Sequence, residues 1–137
     1  MIKLNGKFCV LLLAIVLASN PAFSMGYKCE VKSGKWFAFD DASGKLIEHP
    51  LVEQGHYKDF VVDRVSGRMI GDLSNSNSFG EPQVLHMGDE EYSYRAITVY
   101  MNSTVALLQV LEYHEGFQKP FLFIDGTNVF SGSCINY

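Results

Sequence analysis

The sequence predicts an all-β domain: a small antiparallel meander of roughly eight or nine strands, closed into a barrel or a flattened sandwich, with its ends tied by a disulfide. Three observations lead there. Apolar and aromatic runs are short and are punctuated by Gly, Asp, Asn and Ser turn signals. Beyond residue 24 the aromatic residues are all Phe or Tyr except Trp36, and glycine is frequent, a composition that suits pleated strands and tight turns. Finally, Cys29 and Cys134 lie near the two ends of that stretch, so a bond between them makes the first and last strands neighbours.

The first 24 residues read as a secretory signal peptide. Lys3 and Lys7 precede an uncharged apolar run over 8–18, a polar helix-stopping stretch follows over 19–24, and Ala22 and Ser24 place small residues where signal peptidase cuts. Cleavage is expected between Ser24 and Met25. The apolar run is about half the ~20 residues that a membrane-spanning helix needs, so no membrane insertion is expected after cleavage. Cys9 lacks the small residues before it that lipidation requires and leaves with the signal. The remainder, 25–137, is expected to be a single β domain, periplasmic or secreted. Losing Lys3 and Lys7 takes eleven basic residues to nine against fifteen acids, a formal charge of −6. That balance argues against nucleic acid as a partner.

Two cysteines in an exported domain most simply form one disulfide. Cys29–Cys134 would enclose almost the whole domain. A loop of ~100 residues is worth roughly 4–5 kcal/mol in the chain-entropy description. There is no Cys-x-x-Cys, the spacing that redox-active thiols favour.

In chain order, 27–32 is expected to be a first strand, Ser33-Gly34 a turn and 35–39 a second, aromatic strand. Asp40 to Gly44 is a turn by composition, and Pro50 limits the short strand at 45–48. Alternation over 57–65 predicts a strand, turned by Ser66-Gly67 and returning over 68–73. The polar stretch 74–83 reads as an exposed loop, 84–87 as a short edge strand, and 88–91 as a turn. The longest strand candidates are 92–101 and 104–114, with Asn102-Ser103 at the hairpin tip. The segment 104–113 also fits a helical stripe through Val105, Leu108 and Leu111, and the β-rich context favours the strand. Pro120 opens a strand over 121–124, Asp125-Gly126 is the strongest hairpin signal, and 129–134 closes the fold. An outer-membrane barrel would need strands of ~9–11 residues throughout, and only two candidates reach that length.

Candidate chemistry is sparse. His49, His56, His86 and His114 are dispersed, so no metal site or other cofactor is expected. His114 follows Glu112 at the spacing that puts both on one face of a strand. No serine lies in a Gly-x-Ser-x-Gly elbow, and there is no phosphate loop or dinucleotide fingerprint. Asp40, Asp41, Asp63, Glu112 and Asp125 supply carboxylates without selecting a pair, and no catalytic residue is assigned. Asp63-Arg64 and Arg68 flank a hairpin, where a cross-strand charge pair is expected. Tyr92, Tyr94 and Tyr100 alternate on one face of the long strand expected over 92–101, as a contact surface for a partner or sugar or, the favoured reading, as one wall of the core or a half-exposed sheet face.

Tyr27-Lys28-Cys29 and Cys134 are similar in placement to the corresponding residues of periplasmic inhibitors of C-type lysozymes. The resemblance ends there. Those inhibitors carry a Ser-Gly-x-x-Tyr motif, whereas here Ser66-Gly67 is followed by Arg68-Met69-Ile70 and Ser33-Gly34 by Lys35-Trp36-Phe37, so no family follows from it. The expected function is that of a non-enzymatic binding or envelope-associated protein, contacting a protein, a glycan or a small apolar ligand. The alternatives are an inhibitor of a cell-wall hydrolase, to which a charge of −6 would steer a cationic target, or a small hydrolase built from dispersed acid and His residues.

Overall fold

The computed structural model describes residues 26–52 and 55–137. The signal peptide and its Ser24/Met25 junction lie outside the described residues. Nine strands form one antiparallel sheet: β1 (Gly26–Asp40), β2 (Lys45–Pro50), β3 (Asp59–Asp63), β4 (Met69–Gly71), β5 (Gln83–Met87), β6 (Tyr94–Val99), β7 (Val105–Val110), β8 (Lys119–Asp125) and β9 (Asn128–Asn136). Their order is β4-β3-β1-β9-β8-β7-β6-β5, with β2 paired to the second half of β1. The sheet curls into a half-barrel, and there is no α-helix among the described residues. The strand reading of 104–113 therefore holds over Val105–Val110.

The spine is β1. It pairs β9 along most of its length and is flanked on its other edge first by β3 and then by β2. The sequence suggests two strands broken at Ser33-Gly34, but the chain runs straight through. A register shift between Val31 and Ser33 adds one residue to β1 opposite β9, a bulge that bends the strand and changes which residues face inward. Tyr27, Cys29 and Val31 point to the core before it, and Gly34 does so after it. Glycine is needed there because a Cβ would meet Val52 Cγ2 at 2.6 Å and Phe130 Cδ1 at 2.7 Å. Gly34 is thus a packing residue, which a local reading mistakes for a turn.

Period-two alternation fills the interior elsewhere. Tyr94 and Ala96 of β6, Ala106, Leu108 and Val110 of β7, Phe121 and Phe123 of β8, and Phe60 and Val62 of β3 all point inward and are buried. Phe60 meets Phe121 edge to face at 5.1 Å, and Phe130 lies between Phe123 and Tyr57 at 6.2 and 5.0 Å. Cys29 and Cys134 are register partners on β1 and β9 and form a buried disulfide, joining the chain ends as expected. The Asp125-Gly126 hairpin is also present: Asp125 pairs Asn128, and Gly126 takes φ 58°.

The strand ladder stops at β4 and β5, so among the described residues no strand pairing joins the two edges of the half-barrel. Side chains bridge them instead. Arg64, just beyond β3, donates to the carbonyls of Met87 (2.7 and 3.1 Å) and Gly88 (3.2 Å) beyond β5. Asn75 is buried in the 72–82 loop. It accepts from the Met69 amide at 2.8 Å, donates to the Gly67 carbonyl at 2.8 Å, and receives the Thr98 hydroxyl on its own carbonyl at 2.7 Å. The stretch read as an exposed polar loop is therefore anchored at Asn75 in the core.

Candidate binding groove

Two polar regions stand out. The first lies inside the seam. Tyr27 of β1 donates its hydroxyl to Glu112 Oε1 across a sequence separation of 85. Arg64 stands 3.4 Å from the same carboxylate oxygen and lies 5.3 Å over the Tyr27 ring. Tyr94 packs edge-on against Tyr27 at 5.2 Å and donates to the Arg64 carbonyl at 3.1 Å. Burial, reinforced by the adjoining Glu112 carboxylate, pushes the Tyr27 hydroxyl far above the ordinary tyrosine range. Burial, with the negative charge of Asp63 nearby, pushes Tyr94 up to about 12. Lys119 closes the outside of the seam by donating to the carbonyls of Glu112 (2.9 Å) and His114 (2.6 Å). Every group here has a partner, as a structural clasp requires.

The second region is a groove at the rim, with a volume of about 820 Å³. One wall is the loop after β4. Asn77 and Gly80 bridge each other, and Asn77 Oδ1 accepts the Phe79 amide at 2.8 Å, which presents the Phe79 ring at the loop's outer edge. The opposite wall is the β6–β7 hairpin. There Asn102 Oδ1 accepts the Thr104 amide at 3.0 Å, and Ser103, rather than Asn102, takes the positive φ of 65°. The walls join where the Met101 amide donates to the Phe79 carbonyl at 3.0 Å. Tyr100 and Asp125 line the groove, Asp125 from the end of β8, and among the described residues no Lys or Arg does.

Tyr92, Tyr94 and Tyr100 do not share one face. The strand spans only Tyr94–Val99, so Tyr92 precedes it and is exposed, Tyr94 is fully buried, and Tyr100 follows it and lines the groove. Glu112 and His114 lie beyond the end of β7. The Glu112 side chain turns into the seam while His114 is exposed. The expected charge pair at the β3–β4 hairpin is replaced by other partners. Asp63 accepts the Val65 and Ser66 amides, Arg64 serves the seam, and Arg68 forms a two-pronged pair with Glu81 at 2.9 and 2.8 Å. His49 stacks on Trp36 at 4.4 Å, and His86 Nδ1 accepts the Gly88 amide at 3.0 Å. Among the described residues no group of three or more His, Cys, Asp or Glu converges as a metal site.

Sequence reasoning named Tyr100 and Asp125 separately and missed Phe79 and Met101. Their convergence depends on the 74–83 loop folding back onto the β6–β7 hairpin, and no local spacing encodes that. Comparison with known proteins returns no matching family model, no matching curated protein and no matching solved structure.

Proposed function

We propose that this chain is an exported, non-catalytic binding protein, periplasmic or secreted, which holds a small apolar or amphipathic molecule in its rim groove. The observation that carries this reading is the groove itself. Its volume of about 820 Å³ lies within the ~300–1,000 Å³ usual for small-molecule sites, and Phe79 and Met101 remain exposed on its walls. The signal-like N-terminus supports export, and the Cys29–Cys134 bond is compatible with an oxidising compartment. The test is a native, non-reduced mass spectrum of the protein purified from the producing cell's envelope and medium. An adduct that disappears in the Phe79→Ser/Met101→Ser variant supports the reading. An adduct retained by that variant, or bare protein from both sources, overturns it.

The β1–β2 arm favours a second reading, an inhibitor of a cell-wall hydrolase. Beyond Phe37, β1 pairs only with β2, and this projecting hairpin exposes Phe39, Leu46 and Ile47. An apolar arm on an acidic protein is suited to a cleft in a cationic enzyme. Binding to such a hydrolase that weakens with salt and is lost in Phe39→Ser/Leu46→Ser is the expected result. Binding unaffected by those substitutions rejects it.

A further inference from the structure

Among the turn aspartates of this protein, Asp41 is exposed to solvent, and the others divide into two kinds. Asp40, Asp63, Asp72 and Asp89 all use their carboxylates to accept nearby backbone amides. The partners are Ser43 at 3.1 Å; Val65 and Ser66 at 2.9 and 3.0 Å; Lys58 and Asp59 at 2.7 and 3.3 Å; and Glu91 and Tyr92, both at 2.8 Å. Hydrogen bonds from Ser43, Ser66, Lys58 and Glu91 are the largest cause holding the respective carboxyls below the usual aspartate range. Asp125 stands at the Asp-Gly hairpin, where the same local bond would be the ordinary use of its side chain. Among the described residues its carboxylate accepts no hydrogen bond and has no cation in ion-pair distance. Burial raises its pKa instead.

The surroundings of Asp125 supply what an organic cation needs. Tyr100 stands close enough to feel the Asp125 charge, and Phe79 offers a second aromatic ring on the facing wall. Aromatic faces attract ammonium groups, and a half-buried carboxylate supplies the counter-charge. Among the described residues no basic side chain lines the groove to compete for that carboxylate, and Met101 adds a flexible apolar wall that can adapt to the rest of the ligand. An anionic occupant or a neutral one without a donor would leave Asp125 desolvated without a partner, and a neutral donor would supply a weaker bond than a cation. We propose that the groove is a site for a small organic cation, its ammonium group set against Asp125 and Tyr100 and its apolar body lying between Phe79 and Met101. This proposal rests on the binding reading above and specifies its ligand class.

The test titrates the mature, disulfide-bonded protein with three probes of similar shape: phenethylammonium, 2-phenylethanol and 3-phenylpropionate. Affinity is followed by calorimetry and the site by NMR signals of Phe79, Tyr100 and Met101. The expected result is phenethylammonium binding about tenfold tighter than the alcohol, a single charge-assisted contact in magnitude, with the carboxylate weakest. Asp125→Asn should abolish the difference between ammonium and alcohol while keeping alcohol binding, and a melting curve checks that the variant folds. Equal binding of the three probes, or an ammonium preference that survives Asp125→Asn, overturns the cation assignment and leaves the groove reading standing. Probes that leave the groove's signals unmoved overturn both.

Discussion

The seam and the rim groove treat polar groups in opposite ways. In the seam, Tyr27, Arg64, Tyr94 and Glu112 satisfy one another between the two unpaired edges of the sheet. In the groove, Asp125 is half-buried beside Tyr100 and satisfies nothing within the described chain. A buried polar network that is fully paired rigidifies a fold, whereas an unpaired charge costs stability and persists where a ligand completes it. On the binding reading proposed above, the seam serves stability and the groove a ligand, and perturbing each region should expose that division.

The largest expected effect comes from the bond beside the seam. Cys29–Cys134 closes a loop with a sequence separation of 105, worth roughly 4–5 kcal/mol in the chain-entropy description. Reduction, or Cys29→Ala/Cys134→Ala, should lower Tm by about 15 °C for a domain of this size. A melting curve unchanged by reductant would show that the curled sheet holds without it. Next is Arg64→Met. It removes the bridges to the Met87 and Gly88 carbonyls and leaves Glu112, whose side chain is 9% exposed, without its cation. Breaking a largely buried pair of this kind is expected to cost about 3 kcal/mol in urea denaturation. A loss under ~0.5 kcal/mol would mean that the seam is ornamental.

Tyr27→Phe should cost less, about 1–2 kcal/mol, through loss of one charge-assisted bond. Its diagnostic value lies in pH. The folded pKa of Tyr27 is above its unfolded value near 10, so the stability it contributes is complete below pH ~10 and is lost as pH rises beyond that. Tyr94, pushed up to about 12, adds a loss in the same direction. Wild type should therefore destabilise steeply on the alkaline side, and Tyr27→Phe should flatten that slope. Parallel alkaline curves for the two proteins would place the titrating group elsewhere.

What was legible in the sequence follows the range of each interaction. The Asp125-Gly126 hairpin, the strand at Val105–Val110 and the neighbouring cysteine strands were readable, because turn chemistry, alternation and an obligatory covalent pair are local or unambiguous signals. The continuity of β1 was not. Gly34 answers to Phe130 and Val52, residues that only the folded sheet brings near. The tyrosine row failed for a related reason: alternation has meaning only inside a strand, and Tyr92 and Tyr100 fall just outside one. The seam was invisible because Tyr27 and Glu112 are 85 residues apart and meet only once the sheet curls. Asp125 was one carboxylate among many until Asp40, Asp63, Asp72 and Asp89 were seen to accept local amides and Asp41 to be exposed to solvent.

The smallest expected effect is the most discriminating. Burial raises the folded pKa of Asp125, so its favourable, protonated state exists at low pH and is lost as pH rises through the folded pKa. At neutral pH the ionised carboxylate therefore works against folding. Asp125→Asn should leave stability within about 0.5 kcal/mol of wild type or raise it, while removing the preference for an ammonium probe. A seam substitution should do the reverse, lowering Tm while the folded fraction retains that preference. Denaturation and probe titration of Asp125→Asn and Arg64→Met side by side would decide the matter. If Asp125→Asn destabilised the protein as Arg64→Met is expected to, Asp125 would be part of the fold's own support, and the division between clasp and groove would be lost.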